Sequence, residues 1–184
     1  MDEYSKKVNI TGTNNKYMIK NIENGYKKEI KKRVVSEKWS FSEEYYEYEY
    51  QIKLIEEIIE NNYLQKNQMT KIVINEINKK ISSYKNQDIL KKHLDNEQFL
   101  TFESVLNKMK ECELKCRYCK CEMSVLYDIS REMTQWSVDR IDNDKGHNID
   151  NFHLACLDCN LKRRRRTDEK FLFTKQLNIV KQEN

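Results

Sequence analysis

The sequence predicts an α+β protein: a mainly α-helical N-terminal region, then a two-strand, one-helix unit closed by a metal, then a C-terminal helix. Three observations predict it. The 184-residue chain has no proline and only 3 glycines, which favours helices over a tight-turned β-sandwich. Apolar residues recur at helical spacing between Ile52 and Met109. Two Cys-x-x-Cys pairs, Cys116/Cys119 and Cys156/Cys159, then bracket a polar stretch with two short apolar segments.

Residues 1–38 show weak periodicity and many Lys and Asn residues, and are expected to be loosely ordered. Ser40-Phe-Ser-Glu43 has the Ser-x-x-Glu form of a capping box. After it, Ile52, Ile55 and Ile59, with Leu54 and Ile58, fall at helical spacing. Tyr45 to Tyr50 alternate aromatic and acid. These tyrosines are expected as core and boundary residues of a helix, because their acidic neighbours would repel the phosphates that a base-stacking platform must approach. Met69, Val73, Ile77, Ile81 and Tyr84 form one stripe, and Phe102, Val105, Leu106 and Met109 another, with Asp95-Asn-Glu-Gln98 as a start signal. The expected segments are 1–38, a helical region 39–98, and a metal-closed region 99–184. No internal repeat is present, and the helical part carries no legible function.

Charged residues make up 35% of the chain, yet the net charge is only +4. Residues 1–36 and 61–110 are basic on balance, whereas 37–60 are acidic. Nucleic-acid binding needs one basic face rather than a basic average, so the total neither supports nor excludes it. The start Met1-Asp-Glu-Tyr-Ser-Lys-Lys7 has no apolar run, and no stretch approaches the ~18 apolar residues of a membrane span. An intracellular, non-secreted protein with no membrane partner is expected. In a reducing compartment, 6 cysteines are more readily metal ligands or plain thiols than disulfides.

Thiolates are soft ligands, and four of them on two knuckles suit the tetrahedral Cys₄ demand of a structural Zn²⁺. The 36 residues between Cys119 and Cys156 exceed the roughly 15–20 of compact zinc modules, so they must hold structure of their own. Cys112 and Cys121 are left over, and Cys121 competes with Cys119 as a ligand. Between the knuckles, Trp136 to Ile141 alternates as a strand does, Asp142-Asn-Asp-Lys-Gly146 is turn chemistry, and Asn151 to Leu154 suits a returning strand. Ala155 to Arg166 is expected as a helix, giving a ββα unit. Thr167-Asp-Glu169 starts a last helix, with Phe173, Leu177 and Val180 as its buried stripe.

The run Val138-Asp-Arg-Ile-Asp-Asn143, then Gly146-His147, Asp150-Asn151 and Cys156-x-x-Cys-Asn160, resembles the zinc-containing branch of the HNH endonucleases, also called ββα-metal or His-Me finger nucleases. With Gln135-Trp-Ser before it and Leu-Lys-Arg-Arg-Arg after Asn160, the wording looks most like HNH proteins of large DNA viruses. The resemblance covers about residues 100–180 and, with it, host cell or virion as the place of action. It implies a structural Zn²⁺ and hydrolysis of DNA by one Mg²⁺ or Mn²⁺ ion, with Asp139 and Asn160 as that ion's ligands. Asn151 would brace the loop. Where the family has a histidine beside the acid, this chain has Arg140. Arginine stays protonated and cannot take a proton from water, though it can grip a phosphate oxygen.

The base is then expected elsewhere. His147 is the first candidate and His153 the second, and a metal-bound water acting without a side-chain base is a third route. His93 lies outside the unit and is assigned nothing. Lys162, Arg163, Arg164, Arg165 and Arg166 are expected to supply phosphate contacts. Spaced ~100° apart on one helix, only one or two of them can reach the same groove. Cutting both strands with one ββα unit takes two copies, so a homodimer is expected. The alternative is a non-catalytic zinc-dependent nucleic-acid-binding protein that kept the fold and lost the chemistry, with Arg140 as the mark of loss.

Overall fold

A computed structural model describes residues 30–39, 41–64 and 67–177. The described residues from Lys32 on form one compact unit. A short 3₁₀ turn, Glu43–Tyr46, leads into helix α1, Tyr48–Glu60. Ser40 of the expected capping box lies outside the described residues. The turn's N-cap is Ser42, which makes no side-chain cap bond. Helix α1 buries Leu54, Ile55 and Ile58, adjacent or three to four apart on one face. It also buries Gln51, whose amide oxygen accepts from Val125 N and Leu126 N at 2.7 and 2.9 Å. That amide ties α1 to the chain that enters the sheet.

Helix α2, Gln68–Lys91, opens on a capping box in which Asn67 and Thr70 satisfy each other's free backbone N–H groups. Helix α3, Phe102–Glu111, opens the same way on Thr101 and Ser104. The expected start at Asp95 to Gln98 is instead a turn, with Asp95 Oδ1 accepting from Glu97 N and Gln98 N. The chain must stay extended until Thr101, because Phe99 pairs with Asn148 and Leu100 N donates to His147 O.

Strands β1, Trp136–Arg140, and β2, Phe152–Cys156, pair antiparallel with Asp139 opposite His153. Two strands alone are marginal in water. Here α2 covers the other edge of β1: Val138 N–H donates to Tyr84 Oη at 3.0 Å, and Lys80 Nζ donates to Trp136 O. Four of the five β1 residues are buried, so both faces are covered. Helix α4, Leu157–Arg163, follows β2 directly. The expected helix to Arg166 ends three residues early, because Arg164 turns to a φ of 54°.

Helix α5, Asp168–Gln176, packs through Phe171, whose ring lies edge-on to Tyr118 at 4.8 Å. The stripe expected on this helix is corrected. Phe173 is 67% exposed and Leu177 45%, since Phe171 faces inward and a residue two positions on faces away. Val180 lies outside the described residues. One core contains Ile77, Leu106, Trp136 and Phe171 together, so it runs across the expected boundary between residues 98 and 99. Mixed α+β with helices predominating is the class observed. Among the described residues no helix is long and apolar enough to cross a membrane.

Candidate metal centre and basic cleft

The sulfurs of Cys116, Cys119, Cys156 and Cys159 all lie within 4.8 Å of one another, and Cys119 Sγ is 3.8 Å from Cys156 Sγ. A tetrahedron of thiolates about 2.3 Å from Zn²⁺ has edges of about 3.8 Å. The four cysteines can therefore hold a metal ion, and the set is compatible with a structural zinc. The first knuckle is a tight turn in which Lys120 N donates to Cys116 O, Cys116 N to Cys121 O, and Lys120 takes a φ of 61°. The second is the first turn of α4, where Cys159 N donates to Cys156 Sγ. Hydrogen bonding between the neighbouring Cys116 and Cys156 thiols draws Cys116 well below its usual range and, with burial, pushes Cys156 up. Cys121 is half-buried and outside the four-sulfur set, and Cys112 bonds Met109 O at the end of α3.

Asp139 is buried beside this knuckle. Tyr118, within Cys-x-x-Cys, shares its hydroxyl hydrogen between Asp139 Oδ2 at 2.5 Å and Asp168 Oδ1 at 2.7 Å. Arg163 donates from Nη1 to Asp139 Oδ1 at 2.7 Å and from Nη2 to Ile141 O at 2.9 Å. Desolvation by burial raises the Asp139 carboxyl above its usual range, while Tyr118 and Arg163 pull the other way. Arg163 is 1% exposed. Its place among the phosphate contacts is therefore corrected: α4 turns it inward, and the buried carboxylate takes its charge.

Asn160, three residues earlier on α4, donates from Nδ2 to Ser137 Oγ at 3.0 Å and Val138 O at 3.1 Å. Ser137 and Asp139 share one face of β1 by the two-residue period, so Asn160 and Asp139 lie on the same, α4 side of the strand. Asn160 Oδ1 has no partner among the described residues. A carboxylate and an amide oxygen are donors of the type a hard divalent ion takes. Each Asp139 oxygen already accepts one hydrogen bond, however, and Arg163 already supplies a positive charge.

The loop after β1 is braced by Asn151. Its Nδ2 donates to Asp142 O at 3.0 Å and Gly146 O at 2.9 Å, and its Oδ1 accepts from Asp142 N at 2.8 Å. Arg140 Nη1 donates to Lys145 O across the same loop. His147 is 4% exposed. Its Nδ1 lies 2.7 Å from Asp88 Oδ1, its backbone N–H donates to Asp88 Oδ2, and its ring lies against Tyr84. Burial depresses the imidazole below its usual value, with the Asp88 carboxylate opposing. The pair fastens the loop to α2. A Cβ on Gly146 would sit 2.4 Å from His93 O, so only glycine admits this approach. His153 is half-buried, with Nε2 3.7 Å from Asp168 Oδ2, and burial depresses it as well.

Beyond the end of β1 opens a cleft of about 890 Å³. Lys91, His93, Arg140, Arg164 and Arg165 line it, with Asp142 and Asp144. Lys162 and Arg166 line a second groove against α5. Lys162 there pairs with Asp158, and Arg166 donates to Lys162 O. The fold thus brings Asp139 and Asn160 to one face, gathers Arg140, Arg164 and Arg165 in the cleft, and keeps His147 and Arg163 out of it. Sequence reasoning missed Tyr118, Asp88, Lys91 and His93. The Tyr at the third position of the first knuckle is the only local signal among them. Compared with known proteins, the chain matches no family model, no curated protein and no solved structure.

Proposed function

We propose that this chain is an HNH-type endonuclease that holds a DNA backbone in the cleft beyond β1 and hydrolyses its phosphodiester bonds. The observation that carries the reading is the pinning of Asn160 to β1 on the face of Asp139, which leaves an amide oxygen without a partner among the described residues on the face of a carboxylate. Zinc in the four-thiol set would fix both knuckles, and so the turn carrying Tyr118 and the start of α4. Asp139 and Asn160 would hold Mg²⁺ or Mn²⁺. Such an ion, when bound, supplies charge stabilisation at the scissile phosphate and lowers the pKa of a bound water.

The chain's own residues do the rest. Arg140, Arg164 and Arg165 grip phosphate oxygens, for which the planar guanidinium fork is suited. Asn151 keeps the loop closed, so Arg140 keeps its position. His147, expected as the base, lies outside that cleft with Nδ1 on Asp88, so its part is to hold the loop to α2 rather than to take a proton. Cutting both strands calls for a homodimer.

A second reading has its own observation: Tyr118 and Arg163 occupy both oxygens of Asp139. It makes the chain a non-catalytic zinc-dependent nucleic-acid-binding protein. One experiment separates the two. Zinc-loaded protein with Mg²⁺ or Mn²⁺ is offered supercoiled, linear, single-stranded and branched DNA, beside Asp139→Ala and Asn160→Ala. Cutting that both substitutions abolish supports the endonuclease. Salt-sensitive binding without cutting supports the second reading, and neither binding nor cutting removes both.

A further inference from the structure

We propose that the end of α2 is the second wall of the nucleic-acid cleft, and that His93 is the imidazole this wall presents to a bound phosphodiester. The proposal rests on the reading of that cleft as a DNA-backbone site.

Helix α2 stops at Lys91 because Lys92 takes a left-handed φ of 59°. His93 N–H then donates back to Asp88 O at 2.9 Å, which folds the chain toward the loop. The Asp88 side chain takes both the backbone N–H and the ring Nδ1 of His147, and Gly146 packs under His93 O. Helix end and loop are fastened at three points. The result places Lys91 and His93 in one cleft with Arg140, Arg164 and Arg165.

The charges suit one ligand class. Lys91, Arg140, Arg164 and Arg165 outnumber Asp142 and Asp144, so the cleft is positive before His93 is counted. Its walls are polar and carry donors, as a phosphodiester requires. The chain has 3 histidines. His147 is buried with Nδ1 engaged, and His153 faces Asp168. His93 is the one that lines the cleft. It sits in the same cleft as Arg140, the position at which the sequence lacks an imidazole.

The test uses the zinc-loaded full chain and a 12-base-pair DNA duplex. Three histidines give three sets of imidazole ¹H–¹³C signals, assigned with His93→Gln and His153→Gln. On titration the His93 signals are expected to move along the binding curve read by fluorescence anisotropy, while those of His147 stay. Lys91→Ala is expected to weaken binding several-fold and to reduce the slope of log K against log salt by about 0.9, the value of one phosphate contact. Lys53→Ala, on exposed α1 surface, is expected to change neither. If Arg140→Ala and Arg165→Ala weaken binding while Lys91→Ala does not and His93 stays silent, the wall is wrong and the cleft reading stands. Movement of His147 with a silent His93 also overturns the assignment. A chain that binds no duplex at all overturns both readings together.

Discussion

The four-thiol cluster and the Asp139 centre lie on the same ββα unit, and they meet their charge in different ways. The thiols have chiefly each other, with all four sulfurs inside 4.8 Å. Like groups packed so closely repel once ionised, so four thiolates here would call for a cation from outside. Asp139 has an internal one: Arg163 at 2.7 Å, with Tyr118 on the other oxygen. The first centre can hold a metal ion. The second must give something up to admit one. They are also coupled, because Tyr118 sits within the first knuckle and Arg163 on the helix that starts at the second. A metal on the thiols would thereby hold both partners of Asp139 in place.

Metal removal breaks the comparison most severely. Structural zinc binding in small modules is worth on the order of 10–16 kcal/mol, which exceeds the ~5–15 kcal/mol stability of a typical domain. Chelation, or Cys159→Ser, is expected to abolish cooperative melting of the sheet and α4, followed by circular dichroism and by the fluorescence of Trp136. Because the centres are coupled, the Asp139–Arg163 pair is lost in the same transition. A metal-free protein that melts unchanged would show that the thiols pack without an ion.

Removing the internal cation sharpens the contrast from the other side. Arg163→Met leaves Asp139 buried without its charged partner, a change that costs about 3–5 kcal/mol in buried pairs. Denaturant titration is expected to show a loss of that size. The double variant Arg163→Met, Asp139→Asn is expected to recover much of it, since neither charge is then stranded. Arg165→Met, on an exposed side chain, is expected to stay within about 0.5 kcal/mol. Equal costs for Arg163→Met and Arg165→Met would mean that the pair does not neutralise Asp139.

The same contrast explains what the sequence disclosed. The knuckles are local: two residues of spacing aim two sulfurs at one point, so the cluster was legible without a fold. The helical stripes were legible too, as was the turn from Asp142 to Gly146. The Asp139 centre was not, because its partners come from positions 118, 163 and 168 and meet only in three dimensions. Arg163 was one of four identical letters. Only the register of α4, three residues beyond Asn160, turns it inward, and placing the helix end at Arg166 hid that register. Asp88 and His147 are 59 residues apart, and nothing in the acidic or basic pattern around them marks the pair. Phe171 and Phe173 are equally apolar, and a short helix touching the core through a single turn selects between them by geometry.

The smallest expected effect concerns a third centre, the buried pair Asp88–His147, which lies between the other two in kind. Asp88 is paired, as Asp139 is, but with a group that can lose its charge. Desolvation depresses His147, with Arg140 and Lys91 acting in the same direction and Asp88 opposing. The unfolded chain therefore binds more protons than the native one just below the ordinary imidazole value of about 6.5. Stability is then full above that value and falls as pH drops through the native one. Wild type is expected to lose more stability between about pH 7 and pH 5 than His147→Gln, by less than the cost of Arg163→Met. Stability that instead rises on acidification would mean that the ion pair with Asp88 outweighs burial. In that event Asp88, like Asp139, would be a carboxylate held by a cation of the chain's own, and the thiol cluster would stand alone in needing one from outside.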